Sequence, residues 1–578
     1  MTTNNSYFDT ERSAIADLVP ADATTILDVG CGAGWLGAAL KRSRPVVVWG
    51  VEPFAEAAAL ARTRLDVVLQ ESLETAWGSL EGKYFDCIVL ADVLEHLADP
   101  WTAVERLKIH LSPNGVIVAS IPNAAHSTAV QGLLMRKWRY ASEGVLDRTH
   151  LRFFARNTVE ELFWNAGLRI AALGTHELIA VNTKDIGRRL SKAGFEMAQS
   201  DTRTFQFHVV AALPPEGQPA PEIAVLILNW NGAADTLRCL ATVTNQDYPL
   251  RLVVVVDNGS TDGSVESIRT RFPDVEILRV DTNRGYSGGN NLGLLYFLQT
   301  SGVDHVLILN NDTLLPPDFI RKLVEAQAIL GPRAILAPQV LYASDPNRIW
   351  YAGAEWNVAT AGFDVEGADC RVDRGDFEMI HETAVAIGCS MFVPVVALEE
   401  VGLFDERFFL VHEESDWCYR VKERGYRCFV IPAAKLLHKV SSSFGSPEAP
   451  LMQYFDQRNR LLFVEKHFPL RILVRTLSLT IRRTLRRVPR PRLAPPAFLP
   501  PAKGFRKSAR RWYWALRDWT MALNRWRHAL RNRATATQSR RSRLAARARR
   551  LGIRDYLFRR FGDCPARIRR MNEEWLCD

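Results

Sequence analysis

The chain has few features of the specialised protein classes. Its nine cysteines are spread over 578 residues without a CxxC pair, so neither a disulfide scaffold nor a zinc site is indicated. Its N-terminal segment, MTTNNSYFDTERS, is polar and does not have the form of a signal peptide. Apolar runs such as LVVVV at 252–256 are far below the ~18 residues that a membrane-spanning helix needs. We therefore expect a globular protein of the reducing cytoplasm.

The modest net charge of +9 conceals a strong asymmetry along the chain. Residues 471–578 carry 30 Lys and Arg against six Asp and Glu, which leaves 43 basic and 58 acidic residues in 1–470. The body of the protein is therefore acidic, whereas its C-terminal region is strongly basic. Such a region predicts contact with an acidic surface, with anionic lipid or with nucleic acid.

Two proline-rich segments divide the chain. They are LPPEGQPAPE at 213–222 and VPRPRLAPPAFLPPAKG at 488–504, and both are typical of extended connectors. Before and between them, short β-rich runs alternate with helical patterns, which indicates α/β layers with parallel strands. We therefore predict two doubly wound, Rossmann-like α/β domains, 1–212 and 223–470, followed by a basic, mainly helical region at 471–578.

A glycine-rich turn follows the first apolar strand of the first domain. The residues run TILDVGCGAG, with Asp28 near the end of the strand and Gly30, Gly32 and Gly34 in the turn. Glycines there let the backbone pass close to a ligand. Glu52 ends the next strand, where an acidic side chain can accept hydrogen bonds from ribose hydroxyls. The GxGxG spacing differs from the dinucleotide pattern, so these residues alone predict either a nucleoside-binding loop or a tight turn.

The ordered segments of this domain resemble the class I S-adenosylmethionine-dependent methyltransferases. They are the glycine turn, Glu52, YFDCIVLADVLEHLADP at 84–100, LSPNGVIVASIPN at 111–123 and GVLDRTHLRFFARNTVEELFWNAGL at 144–168. The resemblance implies a site for S-adenosyl-L-methionine at the first three strand ends, formed by Asp28, Gly30, Gly32, Gly34, Glu52 and Glu71. In this site the glycines approach the amino acid part of the cofactor and the aspartate supports their loop. Glu52 holds the ribose, and Glu71 lies near the adenine.

Methyl transfer to a hydroxyl benefits from a base that titrates near neutral pH. His96, in VLEHL, and His150, in DRTHLRFF, are the candidates. Each histidine is as readily explained as a capping or packing residue, so the base is left open.

Four apolar strands of the second domain end in clusters of Asp, Asn and Gly. The segments are IAVLILNWNG, RLVVVVDNGSTDGS, VEILRVDTNRGYSGGNNLG and HVLILNNDTLLPPDFI. The C-terminal ends of parallel strands are where such sheets bind ligands. Four polar strand ends in series therefore favour a binding site over isolated turn residues.

This series resembles the inverting glycosyltransferase family 2, which has the GT-A fold. GCSMFV at 388–393, GLFDERFFLVHEESDWCYRVKERGY at 402–426 and QRNRLLFVEKHFP at 457–469 are similar to its acceptor loop, catalytic helix and closing segment. The asparagines of ILNWNG and of the NND motif resemble the subgroup that transfers rhamnose or related deoxy and furanose sugars. The resemblance implies a nucleotide-sugar site formed by Asn229, Asp257, Asn283, Gly285, Asn290 and Asn311.

The same resemblance implies a metal ligand and a base. Asp312 would bind a divalent cation, Mg²⁺ or Mn²⁺, which neutralises the charge on the leaving diphosphate. Its motif keeps a single carboxylate, so His438 in LLHKVSSS is a candidate second ligand. The family base corresponds to Glu414, with Asp416 as the alternative, whereas the local pattern alone also fits a solvated acidic helix terminus. Asp257 would recognise the base of the nucleotide.

The basic region contains an amphipathic pattern over 506–533. Its tryptophans and leucines form one apolar stripe at helical spacing, with arginines on the other faces. This composition suits a helix in the interface of an anionic membrane, and packing of the stripe on the acidic body is the other prediction. Nucleic acid is the least favoured partner, because basic charge without a recognised fold is weak support.

Together these observations predict a bifunctional cytoplasmic enzyme of surface-polysaccharide assembly, of the O-antigen or capsule type. It would transfer a sugar with inversion from a nucleotide-sugar to a glycan or polyprenyl-linked acceptor, and methylate a sugar hydroxyl. In the membrane case it would sit peripherally on the inner face of the cell membrane. In the alternative, the methyltransferase-like domain serves only as a cofactor-binding or docking module.

Overall fold

The structure, a computed structural model, describes residues 13–178, 186–193, 200–485 and 536–577, except for 218, 301, 358, 441–445 and 447. The predicted linker 488–504 and the apolar stripe over 506–533 therefore lie outside the described residues.

The first domain is built on a mixed seven-stranded sheet. Its strands are β1 (Thr25–Val29), β2 (Val47–Val51), β3 (Val67–Leu69), β4 (Phe85–Ala91), β5 (Leu111–Pro122), β6 (Arg169–Glu177) and β7 (Thr204–Ala212). They lie in the order β3-β2-β1-β4-β5-β7-β6. Strands β1 to β5 are parallel, whereas β7 runs antiparallel to both of its neighbours. The central strands are buried because helices cover both faces, which explains their continuous apolar sequences.

The helices of this domain alternate with its strands. They are α1 (Ser13–Ala16), α2 (Trp35–Ser43), α3 (Ala55–Ala61), α4 (Leu73–Leu80), α5 (Pro100–Lys108), α6 (Ser127–Leu134), α7 (Arg156–Asn165) and α8 (Ile186–Ala193). The start of α5 shows the local rules clearly, since Asp99 accepts a hydrogen bond from Thr102 N at 3.1 Å and Pro100 occupies the first helical turn.

The second domain contains a larger mixed sheet. Its strands are β8 (Ile223–Asn229), β9 (Leu252–Asp257), β10 (Glu276–Arg279), β11 (His305–Asn310), β12 (Thr313–Leu314), β13 (Ala334–Tyr342), β14 (Asp345–Tyr351), β15 (Ala354–Asn357), β16 (Gly362–Val365), β17 (His381–Thr383), β18 (Ser390–Pro394) and β19 (Arg427–His438). The main order is β10-β9-β8-β11-β18-β13-β19-β12, with β14 beside β13 and β17 beside β19, while β15 and β16 form a separate hairpin. The first four strands of this order are parallel, and β18 then runs antiparallel to β11.

The helices of the second domain and of the basic region complete the fold. They are α9 (Ala233–Val243), α10 (Ser264–Arg271), α11 (Gly285–Gln299), α12 (Phe319–Leu330), α13 (Val395–Val401), α14 (Glu413–Glu423), α15 (Pro450–His467), α16 (Leu470–Leu485), α17 (Ala536–Leu557) and α18 (Ala566–Cys577). The predicted α/β class and the helical C-terminal region are both confirmed. Among the described residues, no helix combines the length and the apolar character needed to cross a membrane.

The two α/β domains are in direct contact, which the proline-rich linker between them did not predict. Trp164 of α7 packs edge-to-face against Phe429 of β19, with ring centroids 5.2 Å apart. Arg427 forms ion pairs with Glu160 of the first domain at 2.6 Å and with Glu382 of the second at 2.8 Å. Apolar packing and a shared guanidinium therefore join the domains.

Candidate active sites

The glycine turn of the first domain lies at the C-terminal edge of its sheet, between β1 and α2. Gly30, Gly32 and Gly34 have φ angles of 67°, 53° and 80°, a region that residues with a Cβ rarely adopt. A Cβ on Gly30 would also lie 2.9 Å from Cγ2 of Val93. The turn thus has the bare backbone that close approach of a cofactor requires.

Glu52 follows β2 and contacts this turn. One carboxylate oxygen accepts a hydrogen bond from Gly32 N at 2.9 Å, and the other accepts one from Phe54 N at 2.9 Å. Burial raises the pKa of Glu52, while these hydrogen bonds oppose the increase. Asp28 is buried in β1 beside the turn, and the partly exposed Glu71 follows the neighbouring β3. The structure therefore brings the predicted cofactor-binding residues to one sheet edge.

His96 and His150, which are far apart in sequence, lie together beyond the end of β4. Their ring centroids are 4.9 Å apart in an edge-to-face arrangement. Glu95, which was not predicted as a site residue, joins them, because its Oε1 is 4.0 Å from Nε2 of His150. Nδ1 of His96 is 3.2 Å from the carbonyl oxygen of Thr149, and Nδ1 of His150 is 3.2 Å from that of Val145.

This Glu95–His96–His150 cluster can serve either of two chemical roles. One ligand atom from each residue lies within 4.8 Å of the others, so the three could hold a divalent cation. Alternatively, a histidine acts as general base beside the glutamate, and burial lowers the pKa of His150 so that its neutral form is favoured. The cluster lies next to the cofactor turn, since Val93, two residues before Glu95, faces Gly30. Glu95 could have been identified from the sequence, because it is an acidic residue directly next to His96.

Three residues predicted for the nucleotide-sugar site form one hydrogen-bonded group in the second domain. Asn229 lies opposite Asp257 in the β8–β9 register and donates a hydrogen bond to its carboxylate at 3.0 Å. Asn229 also accepts a hydrogen bond from Asn311 at 3.3 Å. The other oxygen of Asp257 accepts one from Ser260 N at 3.1 Å. Asp257 is fully buried, so its direct contact with a nucleotide base stays a prediction.

The remaining predicted residues of that site lie around the start of α11. Asn258, which was not predicted, donates hydrogen bonds to the side chain of Asn283 at 3.1 Å and to the carbonyl of Gly285 at 3.0 Å. Asn290 lies farther along the helix and donates to the carbonyl of Tyr286 at 3.0 Å. Its Oδ1 is buried and has no hydrogen-bond partner among the described residues.

Asp312 and His438, the predicted metal ligands, are neighbours. Nε2 of His438 lies 3.1 Å from Oδ1 of Asp312, and both side chains are less than a tenth exposed. The pairing of β12 with β19 places Thr313 opposite His438, which explains how residues distant in sequence meet. The imidazole also packs against Trp350, with ring centroids 4.8 Å apart. A carboxylate and an imidazole form a donor set that suits a cation such as Mn²⁺, so the residues fit the implied metal.

Two adjacent glutamates begin α14. Oε2 of Glu413 and Oε2 of Glu414 are buried and have no hydrogen-bond partner among the described residues. Burial raises the pKa of both groups, and the charge of Glu414 raises that of Glu413 further. The Cβ of Glu414 is 3.6 Å from the position that a Cβ on Gly388 would take. Gly388 is followed by Cys389, whose carbonyl oxygen accepts a hydrogen bond from Asn310 N at 2.9 Å, so the start of α14 lies near the motif that contains Asp312.

Asp416, the alternative base, has a different environment. It is fully buried, and its carboxylate lies 2.8 Å from His467 Nε2, 2.5 Å from Lys466 Nζ and 3.0 Å from Arg420 Nε. Burial by itself raises the pKa of Asp416, but hydrogen bonds from His467 and Lys466 lower it overall. The structure therefore places Asp416 in an ion-pair network, whereas Glu414 has no such partners in the described part of the chain and lies beside Gly388.

Comparison with known families supports both halves of the chain. Residues 8–173 match a family model described as a methyltransferase domain, and residues 224–402 match glycosyl transferase family 2. These matches confirm the two resemblances drawn from the sequence.

Three relatives are similar to parts of the chain. The dTDP-rhamnosyl transferase RfbF of Shigella flexneri is 22% identical over 270 residues, which cover 45% of this chain and 86% of that protein. The N-acetylglucosaminyl-diphospho-decaprenol L-rhamnosyltransferase of Mycobacterium tuberculosis is 27% identical over 234 residues, covering 37% and 75% respectively. The mitochondrial ubiquinone biosynthesis O-methyltransferase of Schizosaccharomyces pombe is 36% identical over 100 residues, covering 16% of this chain and 36% of that protein.

Proposed function

We propose that this chain, which combines a methyltransferase domain with a family 2 glycosyltransferase domain, is a bifunctional enzyme of surface-polysaccharide assembly. It transfers a sugar from a nucleotide-sugar to a glycan or polyprenyl-linked acceptor with inversion. It also methylates a sugar hydroxyl with S-adenosyl-L-methionine. The observation that carries the proposal is the position of Glu414, whose buried side chain lies beside Gly388, next to the contact between Cys389 and the Asn310-Asn311-Asp312 motif.

In this proposal Glu414 is the general base of sugar transfer. It takes the proton of the acceptor hydroxyl as that oxygen attacks the anomeric carbon from the face opposite the diphosphate. Its raised pKa makes the carboxylate a stronger proton acceptor than an exposed glutamate. Asp312 and His438 would hold a divalent cation, which when bound neutralises charge on the leaving diphosphate. Asn229, which links Asp257 to Asn311, orders the loops that face the nucleotide.

In the first domain, the glycine turn and Glu52 bind and orient S-adenosyl-L-methionine. The sulfonium is already activated, so positioning of the acceptor hydroxyl supplies much of the catalysis. His150, with Glu95 and His96 beside it, receives the proton of that hydroxyl. The same three residues could instead hold a cation that orients the acceptor oxygens.

The donor is proposed to be a nucleotide-activated deoxyhexose such as dTDP-rhamnose, with a lipid diphosphate-linked glycan as acceptor. The names of the Shigella and mycobacterial relatives support this choice, and so do the asparagines of ILNWNG and of the Asn310-Asn311-Asp312 motif.

Mass spectrometry of products formed by the purified full chain tests the proposal. The enzyme is offered a panel of nucleotide-sugars, short lipid-linked acceptors and isotope-labelled S-adenosyl-L-methionine. Asp312→Asn should abolish sugar transfer and spare methylation, whereas Gly30→Val should do the reverse, because its side chain would meet Val93. Loss of both activities in either variant would contradict two independent sites.

A second candidate function treats the first domain as a docking module. The contact of Trp164 and Glu160 with the glycosyltransferase core favours it, since such packing stabilises the second domain whether or not methyl transfer occurs. The candidates separate if the full chain binds S-adenosyl-L-methionine, as measured by calorimetry, yet methylates no acceptor that the glycosyltransferase accepts or produces.

Peripheral association with the inner face of the cell membrane is proposed for the Trp- and Arg-rich segment 506–533, on its sequence pattern alone. Flotation of the full chain with vesicles tests it. We expect binding to vesicles with anionic phospholipid, weaker binding at 0.5 M salt, and little binding to neutral vesicles. Equal binding to both vesicle types would contradict the proposal.

A further inference from the structure

The segment 408–412, here called the base loop, has an unusual backbone. Phe409, Val411 and His412 have φ angles of 62°, 70° and 75°, and a β-branched residue such as valine is a genuine outlier there. Conformations of this kind persist only where surrounding contacts hold them, and they are concentrated at active sites. The base loop leads directly into α14, so its backbone determines where Glu414 lies.

The base loop also contacts the segment predicted to bind the nucleotide-sugar. The carbonyl oxygen of Phe409 accepts hydrogen bonds from Tyr286 N at 2.7 Å and Ser287 N at 3.3 Å, in the first turn of α11. A Cβ on Gly285 would lie 2.3 Å from this oxygen, so the contact depends on glycine. The base loop, whose backbone is strained, therefore connects the start of α11 with the start of α14.

Two buried side chains of α15 form hydrogen bonds with the backbone of the base loop. Nδ2 of Asn459 lies within hydrogen-bond distance of the carbonyl oxygens of Phe408, Leu410 and Val411, at 2.7, 2.8 and 2.8 Å, and its two hydrogens are shared among these three acceptors. Nη2 of Arg458 donates to the carbonyl of Phe408 at 2.9 Å, and its Nε donates to Asn459 at 2.9 Å. Both side chains are fully buried, so their hydrogen bonds are made away from water, where an unmade one is costly.

The C-terminal region completes this arrangement. Nη1 of Arg458 donates to the carbonyl oxygen of Gly562 at 2.6 Å, and Gly562 N donates to the carbonyl of Arg407 at 3.0 Å. The ring of Phe409 stacks on Phe455, and Met571 of α18 belongs to the same buried apolar cluster. A residue between α17 and α18 therefore accepts one hydrogen bond from the same guanidinium that donates to the base loop.

Helix α17 is itself tightly seated on α15. The hydroxyl of Tyr454 donates to Oδ2 of Asp555 at 2.9 Å, and Asp555 is fully buried. A Cβ on Gly552 would lie 2.6 Å from the carbonyl oxygen of Tyr454. The two helices thus approach so closely that a single methyl group at Gly552 would force them apart.

We propose that residues 536–577 function as part of the glycosyltransferase domain. Arg458 and Asn459 are positioning residues, which fix the backbone of the base loop and thereby the position of Glu414. The naming of Glu414 as base rests on the proposed function, whereas the support of the loop does not. This assigns to the described part of the basic region a role in sugar transfer that requires neither a membrane nor nucleic acid.

Hydrogen exchange and steady-state kinetics of the full chain test this proposal. The first variant, Arg458→Lys, keeps the positive charge but loses the several N–H donors of the guanidinium. The second, Gly552→Ala, displaces α17 from α15 at a position remote from the base loop. Arg550→Lys, at an exposed arginine of the same helix, is the matched control. We expect faster amide exchange of a peptide covering 405–414 in both variants. We also expect kcat to fall by about 10²-fold, as a displacement near 1 Å can cause, while KM for the donor changes less.

Two results would overturn the proposal. One is unchanged exchange of 405–414 in both variants; the other is faster exchange with kcat within about twofold of the wild type, a change too small for a misplaced base. If Arg458→Lys does not fold, Gly552→Ala alone decides, because its methyl group is remote from the loop. Failure of the proposed function is recognised separately. If Glu414 is not the base, Glu414→Gln keeps full activity in sugar transfer. Hydrogen exchange of 405–414 in Arg458→Lys still tests whether Arg458 supports the loop.

Discussion

Glu414→Gln and Asp416→Asn alter two acidic residues of one helical turn, and we expect them to have opposite consequences. Glutamine keeps the shape of Glu414 but cannot take a proton. A general base contributes about 10²–10⁴-fold to rate, so kcat for sugar transfer should fall by that factor. The substitution also removes the repulsion that Glu413 feels from its neighbour, so Tm should stay the same or rise slightly.

Asp416→Asn should mainly destabilise the protein. Asp416 is fully buried and lies within 3.0 Å of side-chain nitrogens of His467, Lys466 and Arg420. Removing one partner of a buried ion pair costs about 3–5 kcal/mol. For a domain of this size each kcal/mol lowers Tm by about 2–4 °C, so a decrease of roughly 10 °C follows.

Both variants are measured as the purified full chain, with product formation followed at saturating donor and Tm followed by differential scanning fluorimetry. Glu414→Asp is the control, because it retains a carboxylate one methylene shorter, and it should keep at least about tenfold more activity than Glu414→Gln. The reasoning is refuted if Glu414→Gln retains a tenth or more of wild-type kcat while Asp416→Asn abolishes transfer at unchanged Tm. Asp416 would then be the base.

Four further predictions concern stability, metal binding, domain contact and methyl transfer. The raised pKa values of Glu413 and Glu414 mean that the folded state binds more protons, so the free energy of unfolding in urea should decrease as pH rises above their ordinary value of 4.5. Glu414→Gln should weaken this dependence. His438→Gln should raise the Mn²⁺ concentration needed for half-maximal sugar transfer by about 10-fold or more, because one of two neighbouring donors is lost. Arg427→Met should destabilise the domain contact by about 1–3 kcal/mol, less than a fully buried pair because its side chain is 34% exposed, and calorimetry should then resolve two transitions. Glu95→Gln should reduce methyl transfer by about 10-fold or more and leave sugar transfer unchanged.

Each of these predictions has a contradicting result. For the pH dependence, it is a free energy of unfolding that rises between pH 5 and pH 8. For the metal site, it is an unchanged Mn²⁺ requirement in His438→Gln, and for the domain contact it is a single unshifted thermal transition in Arg427→Met. For Glu95→Gln, it is wild-type methyl transfer in the presence of saturating cofactor.

Much of the fold followed from local pattern. The apolar strands, the glycine turn with three positive φ angles and the polar strand ends all appear where the sequence predicted them, because each is determined by residues within a few positions. The pairing of Asp312 with His438 was also predicted, although through family resemblance, since no local rule relates a turn after β11 to the end of β19. The β12–β19 register supplies the physical reason.

Other features depended on contacts between distant segments. Glu95 joined the two histidines only when the chain after β4 met the segment before α7. Arg427 gave no signal in sequence, since its partner Glu160 lies in the other domain. The sequence assigned the base to Glu414 by family resemblance and kept Asp416 as the alternative, and only the structure showed that their side chains have different partners.

The basic C-terminal region shows most clearly where the two kinds of information divide. Its charge and helical character are properties of composition and spacing, so the sequence by itself determined them, along with two α/β domains and their reaction classes. That α17 lies on α15, and that Gly562 completes the partners of Arg458, was decided by tertiary structure alone. Such contacts depend on shape complementarity and on buried hydrogen bonds between residues a hundred positions apart, and neither leaves a pattern in the local sequence.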